Sequence, residues 1–237
     1  MRGWRTAVVA ETRMETPSGR AIVLDVPGWG RNDAGQHLDV RLTAEDGYQA
    51  ARSYSVASVG AGDRVQIAVD RLPDGEVSPF LVDDLMVGDE LVVRGPLGAW
   101  FVWRPEQAGP VQLIAGGSGI VPLMAMIRAR AKTGDGPPFR LLYSVRTPAD
   151  AFFRSELEAP SPGLTVAWRY TRSAPDGWTG TVGRVTREVL EAETFPASHN
   201  PTTYVCGPTG FVEAVATALV ELGHDPARVK TERFGGT

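Results

Sequence analysis

The sequence predicts two domains in tandem: a six-stranded antiparallel β-barrel over residues 1–105, then an α/β domain with a parallel sheet over residues 106–237. Three observations carry this expectation. Residues 6–96 read as short β runs separated by turn signals, with no long helix between them. After the polar stretch RPEQAGP (104–110), apolar strands alternate with helical segments. A 237-residue chain that is 43% hydrophobic and 22% charged fits one large domain or two ordinary ones, so the change of pattern decides.

In the first half the expected strands are TAVVAETRM (6–14), RAIVLDV (20–26), HLDVRLTA (37–44), RSYSVAS (52–58), VQIAVDRL (65–72) and DELVVRGP (89–96). The turns GWGRNDAG, GAGD and PDGE punctuate them. One short helix is expected over 78–86, with Ser78 as N-cap and Pro79 at the first helical position. Its N-terminus, preceded by Gly75, Glu76 and Val77, is a candidate anion site, although most capped helices bind nothing. The run ARSYSVASVG (51–60) is unusual for a core strand. Alternation puts Arg52, Tyr54, Val56 and Ser58 on one face and Ser53, Ser55 and Ala57 on the other, so neither face is cleanly apolar. A cation, an aryl ring and hydroxyls together suit a phosphate-bearing aromatic ligand; a solvent-facing edge strand is the alternative.

In the second half the strands are VQLIAG (111–116), FRLLYSV (139–145), LTVAWRY (164–170), TTYVCG (202–207) and a last run RVKTERF (228–234). Helices are expected over 120–133, 149–158, 184–192 and 209–222. This is βαβ patterning, which places ligands at the carboxyl ends of the strands. The first of these strands runs into GGSGIVP (116–122), a glycine turn opening a helix, suited to a pyrophosphate. It reads G-x-G-x-x-P, and the acidic residue that would hold an unphosphorylated ribose is missing from the next strand tip, SVRTP (144–148). That tip offers Ser144 and Arg146, and the following one, YTRSA (170–174), offers Arg172 and Ser173. Arginines beside hydroxyls favour a 2′-phosphate and hence NADPH over NADH; solvated loop charges are the other reading.

Composition excludes several chemistries. A net charge of −4 lacks the basic excess of a nucleic-acid binder. One cysteine, Cys206, and three scattered histidines supply no disulfide, metal site or iron–sulfur cluster, so redox work needs an organic cofactor. The longest apolar region, 111–127, is broken by Gly116, Gly117, Gly119 and Pro122 and fails as a membrane span. The only apolar run near the start, AVVA, is too short for a signal peptide, which reads as a cytoplasmic protein.

Four separated elements occur in order, RSYS (52–55), GEVS (75–78), GGSGIVP (116–122) and CGP (206–208), with TERFG (231–235) at the end. Together they resemble the ferredoxin-NADP reductase superfamily, in its two-domain form of flavin barrel plus nicotinamide domain without an iron–sulfur domain. The resemblance covers nearly the whole chain. It implies that Arg52 pairs with the flavin phosphate, that Tyr54 lies against the isoalloxazine ring, and that Ser55 hydrogen-bonds near flavin N5, with Ser53 beside them. Gly75, Glu76, Val77 and Ser78 are implied on the pyrophosphate of the flavin. Gly116, Gly117, Ser118, Gly119 and Pro122 are implied around the nicotinamide dinucleotide, and Cys206, Gly207 and Pro208 beside the nicotinamide. By residue type alone Cys206 is as readily a buried core thiol. The end of the chain departs from a terminal tyrosine and resembles the subgroup with Glu-x-Phe, which implies Glu232 near the flavin and Phe234 as its cover. Glu232 reads equally as a solvated strand residue.

The catalytic candidates are therefore Ser55, Cys206 and Glu232, the cofactor FAD with FMN as the lesser alternative, and the hydride donor NADPH before NADH. The implied activity is hydride transfer to the flavin and electron release to a separate protein, such as a ferredoxin or an oxygenase component. A reductase of free flavin and an electron-transfer subunit active only within a complex are the alternatives. If Tyr54 and Ser55 both touch one flavin, the strand must be irregular between Tyr54 and Ala57, or Ser55 must use its backbone amide.

Overall fold

The computed structural model describes residues 3–235; Met1, Arg2, Gly236 and Thr237, at the outer ends of the two expected domains, lie outside it. Eight strands form the first half: β1 (Arg5–Thr16), β2 (Gly19–Asp25), β3 (Arg31–Asn32), β4 (His37–Thr43), β5 (Gln49–Ser55), β6 (Gly60–Ala61), β7 (Arg64–Asp70) and β8 (Glu90–Leu97). Six of them make one antiparallel sheet in the order β5-β4-β8-β1-β2-β7, while β3 and β6 form a small separate pair. A bridge between Val56 and Ile67 joins the two edges, so the sheet closes as a barrel. Alternate residues fill its interior, among them Ile22, Leu24, Leu38, Val40, Val65, Ile67 and Val93, each fully buried.

The helix expected over 78–86 is shorter. It is a π-helical turn, Phe80–Asp84, whose Leu81 and Val82 close one end of the barrel. Ser78 caps nothing: its hydroxyl turns inward and accepts the Leu72 N–H at 3.0 Å, because it is buried against that turn rather than facing the helix start.

The second half contains β9 (Val111–Gly116), α1 (Ile120–Ala131), β10 (Phe139–Val145), α2 (Arg154–Glu158), β11 (Leu164–Tyr170), α3 (Arg187–Glu193), β12 (Thr202–Pro208), α4 (Thr209–Glu221) and β13 (Val229–Phe234). All five strands are parallel, in the order β11-β10-β9-β12-β13. After β9 the chain winds outward through β10 and β11, then returns to place β12 on the other side of β9. The switch point therefore lies between the tips of β9 and β12, where open α/β sheets bind ligands. Leu113 and Ala115 of β9 pack with α1, whereas Ile114 packs with α3 and α4 on the opposite face. The continuous helix expected over 149–158 is broken. Phe152 and Phe153 are buried between the sheet and the barrel, the Phe152 ring filling the space above Gly19, and Phe153 adopts φ +55°, which interrupts the helix before α2. No helix among the described residues is long and apolar enough to cross a membrane.

Candidate functional site

The strand bearing Arg52, Tyr54 and Ser55 changes partner where alternation demanded an irregularity. Up to Ser55, β5 pairs with β4, Ser55 standing opposite His37. At Val56 the chain crosses to β7, and the Ala57 N–H donates to the Gln66 carbonyl at 2.7 Å. The end of β5 lines a cavity of about 320 Å³ between barrel and sheet. Arg52, Ser53, Tyr54 and Ser55 line it together with Gly75 to Ser78, Ser118, Val121 and Phe234.

The chemistry of these groups is uneven. The Tyr54 ring is half-buried against the barrel core, and burial raises its hydroxyl pKa. Arg52 pairs with the Glu76 carboxylate, which also accepts the Tyr48 hydroxyl at 2.8 Å. The Ser53 hydroxyl does not serve the cavity. It donates to Asp39 at 2.6 Å, a carboxylate also held by Arg94 at 2.5 Å, so only the rest of Ser53 lines the wall. Among the described residues, the backbone N–H groups of Glu76, Val77 and Ser78 donate to no protein acceptor. Three consecutive free amides beside a guanidinium and an aryl ring match the donor set for a phosphate joined to a flat ring, and so fit FAD.

A second cavity of about 240 Å³ adjoins the first, with Asp70, Ser118 and Phe234 lining both. Gly116, Gly117, Ser144, Arg146, Thr171, Pro208 and Phe211 complete much of its wall. Gly117 has φ +55°, a left-handed conformation that favours glycine, and it redirects the chain from β9 into α1. Gly119 is required for close approach, since a Cβ there would overlap the Cys206 carbonyl oxygen. Gly119→Ala is accordingly expected to push the glycine turn away from β12, with a stability loss of about 1–3 kcal/mol in a denaturant melt. Pro122 lies buried in the first turn of α1 and lines neither cavity.

Behind the cavity walls three elements come together; Ser55 lines the first cavity, whereas Cys206, Gly207 and Glu232 line neither. Glu232 of β13 stands opposite Cys206 of β12 in the parallel register. The Ser55 hydroxyl lies 3.5 Å from Glu232 Oε1, a long contact across the barrel–sheet boundary. Burial raises the Glu232 pKa to about 7, against the lowering effect of Ser55, and the residue is partly buried on its strand. Burial and the neighbouring Glu232 push the Cys206 thiol up, which keeps it protonated. Gly207 is buried beside Phe211, whose ring also packs on Gly116.

The second strand tip departs from expectation. The Arg172 and Ser173 amides donate to the Arg146 carbonyl at 2.9 and 3.2 Å, which curls this turn so that both side chains are exposed and line neither cavity. Thr171 lines the wall in their place. Arg146 lines the second cavity and forms no ion pair or side-chain hydrogen bond among the described residues. Asp70, Thr171 and Phe211 were not singled out from sequence. Only Phe211 had a local signal, an aromatic three residues after CGP at a helix start.

A barrel with a phosphate-ready turn, abutting a parallel sheet with a glycine turn at its switch point, defines a two-domain flavin- and nicotinamide-dependent oxidoreductase. Comparison with known proteins gives the same class. Residues 10–102 match the oxidoreductase FAD-binding domain and residues 113–217 the oxidoreductase NAD-binding domain. The chain is 34% identical over 209 residues to a glycine betaine monooxygenase reductase subunit of Chromohalobacter salexigens, covering 86% of this chain and 56% of that protein. It is 31% identical over 205 residues to NADH-cytochrome b5 reductase 1 of Aspergillus oryzae, covering 82% and 69% respectively. The crystal structure of the FAD/NAD-binding domain of nitric oxide dioxygenase from Vibrio cholerae superposes with a TM-score of 0.85 at 28% identity, covering 98% of this chain and 99% of that one. The chain belongs to the FAD- and NAD-binding oxidoreductase family with a ferredoxin reductase-like fold. It spans 56–65% of the length of several curated relatives it matches.

Proposed function

We propose that this chain accepts a hydride from NAD(P)H on FAD and passes the electrons to a separate redox protein, an oxygenase component or a comparable acceptor. The approach of Ser55, on the wall of the first cavity, to Glu232, which stands in register with Cys206, carries the reading. The relatives named as monooxygenase reductase components support the type of acceptor. Residues 1–105 are read as the FAD-binding domain and 106–237 as the nucleotide-binding domain, a division supported by the gap between the matched regions 10–102 and 113–217.

Bound FAD supplies acceptance of a hydride at N5 and release of electrons singly or in pairs. The protein supplies the geometry. Arg52 and the amides of Glu76, Val77 and Ser78 hold phosphate, and Tyr54 orients the ring. Ser55 approaches Glu232, which stands in register with Cys206, and these residues would set the approach of the nicotinamide, where a displacement of about 1 Å costs on the order of a hundredfold in rate. Glu232, with a pKa of about 7, holds or gives up a proton near neutral pH at that place. Phe234 lines both cavities and would cover the ring of a bound flavin.

Arg146 gives the site a preference for NADPH, because it lines the nucleotide cavity near Asp70 and, among the described residues, commits its guanidinium to no ion pair or side-chain hydrogen bond. Arg146→Ala is expected to raise the KM for NADPH about tenfold and leave that for NADH within twofold, the difference expected of one charge-assisted contact. Equal changes for both nucleotides would refute this role.

A second reading, reduction of free exchangeable flavin, is favoured by one observation: the cation that would hold phosphate is already paired with Glu76. The two are separated by steady-state assays. Rapid NADPH oxidation with an artificial dye and slow oxidation with added flavin support the electron-transfer reductase, and the reverse supports the flavin reductase.

A further inference from the structure

α1 opens on the glycine turn and runs back along the barrel, where Arg128 in its last turn and Lys132 just after its end reach the segment that follows Ser55. Arg128 Nη1 donates to the Ala57 carbonyl at 3.0 Å and to Gln66 Oε1 at 2.6 Å. Its Nε and Nη2 engage Glu156 of α2 at 2.8 and 2.6 Å, and the guanidinium lies over the Phe153 ring, 5.0 Å from its centroid. Lys132 Nζ donates to the Val59 carbonyl at 2.9 Å. Ala57 is fully buried, so without Arg128 its carbonyl would lose a partner that water does not readily replace.

We infer that Arg128 is a positioning residue for hydride transfer, setting the distance between the flavin half and the nucleotide half of the site. The inference rests on the reductase reading above. Ser55 lies just before the chain crosses to β7, and Ala57 is the point Arg128 grips. At its other end α1 begins against β12, because Gly119 packs on the Cys206 carbonyl. Ala57, Arg128, the rigid helix, Gly119 and Cys206 thus form one continuous linkage between the two sides. The planar fork of Arg128, held by two barrel acceptors, a carboxylate and an aromatic face, leaves little freedom in that linkage. In the step it serves, the C4–H bond of the reduced nicotinamide breaks and an N–H bond forms at flavin N5. Both electrons travel with the hydrogen, so the nucleotide leaves oxidised and the flavin reduced.

A role in stability alone predicts something different from a role in position. The Glu156 pair is partly exposed, with side chains 22% and 46% accessible, and such pairs contribute little by themselves. The test uses the FAD-loaded full chain, mixed anaerobically with saturating NAD(P)H in a stopped-flow instrument. Arg128→Ala is expected to slow flavin reduction about 10- to 100-fold, leave the nucleotide Kd within about threefold, and raise the primary isotope effect with 4-deuterated nucleotide; Arg128→Lys should recover part of the rate. Gln66→Met, which removes one acceptor without altering α1, should slow reduction in the same direction by a smaller factor, and it serves if Arg128→Ala does not fold.

A second readout needs no cofactor. In the flavin-free protein, hydrogen exchange at the Ala57 amide should accelerate at least tenfold in Arg128→Ala and change little in Glu156→Gln. An Arg128→Ala protein with wild-type reduction rate and unchanged Ala57 exchange overturns the inference. A wild-type protein that binds FAD but is reduced by neither nucleotide overturns the reductase reading instead, and the exchange result then decides whether the linkage exists.

Discussion

Arg52→Ala is expected to purify with little or no flavin. The guanidinium stands at the cavity wall beside three amides without protein acceptors, so among the described residues it is the only full positive charge at the proposed phosphate position. Hydrogen bonds to charged groups contribute about 1.5–3 kcal/mol each, and loss of the Arg52 contacts therefore weakens flavin on the order of a hundredfold. Glu76 sharpens the test, because in the ligand-free protein it holds the cation that phosphate must take over. The Arg52 and Glu76 side chains are 52% and 45% accessible, so their pair stabilises the free state only slightly. Glu76→Gln should tighten flavin by up to about fivefold, as expected from removing an exposed ion pair worth about 1 kcal/mol or less. Fluorescence titration of flavin into the stripped proteins measures both. A fully yellow Arg52→Ala protein would defeat the assignment.

The second large effect is a pH dependence of stability written by Glu232. Its pKa in the folded, flavin-free protein is raised from 4.5 to about 7 by burial. The folded state therefore binds this proton more tightly than the unfolded chain, and folding takes up a proton between those two values. The sign follows: wild-type stability falls as pH rises from about 4.5 to about 7, then levels off. The full difference is roughly 3 kcal/mol at 1.36 kcal/mol per pH unit, reduced by whatever water reaches the half-open site. Glu232→Gln carries no charge and lacks this fall. It should match the wild type in denaturant melts below pH 4.5 and exceed it by up to about 3 kcal/mol above pH 7. A constant offset across the range would show that Glu232 is solvated, and that Ser55 and Cys206 face no titrating group.

Much of the fold was legible because its signals are local. The change from turn-separated β runs to strand–helix alternation marks the two architectures, and GGSGIVP lies where β9 becomes α1. RSYS, GEVS and CGP are contiguous motifs, and the structure gathers most of their residues around two joined cavities. What sequence did not show depends on partners distant along the chain. Arg52 meets Glu76, and Ser53 gives its hydroxyl to Asp39, through packing that no spacing rule anticipates. Ser78 looked like an N-cap by position, yet the buried Leu72 amide competes for its oxygen. The helix expected over 149–158 broke because burying Phe152 and Phe153 against the barrel outweighed local helix propensity. Arg172 and Ser173 shared the composition of the Arg146 tip but not its direction, since hydrogen bonds to the Arg146 carbonyl turn them outward.

The irregularity demanded by Tyr54 and Ser55 is the clearest gain from structure. Period-two alternation forbids both residues from facing one ring in a regular strand. The strand stays in regular register with β4 through Ser55, and the departure comes just after it, where the chain exchanges β4 for β7 and closes the barrel.

The central claim is that this chain moves a hydride from a nicotinamide nucleotide to its own FAD. It is tested most directly by anaerobic titration of the FAD-loaded protein with NADPH and, separately, NADH, following the visible flavin absorbance. The account predicts complete bleaching at one equivalent of nucleotide per flavin, with NADPH acting at lower concentration. Flavin that stays oxidised with excess of both nucleotides would contradict it.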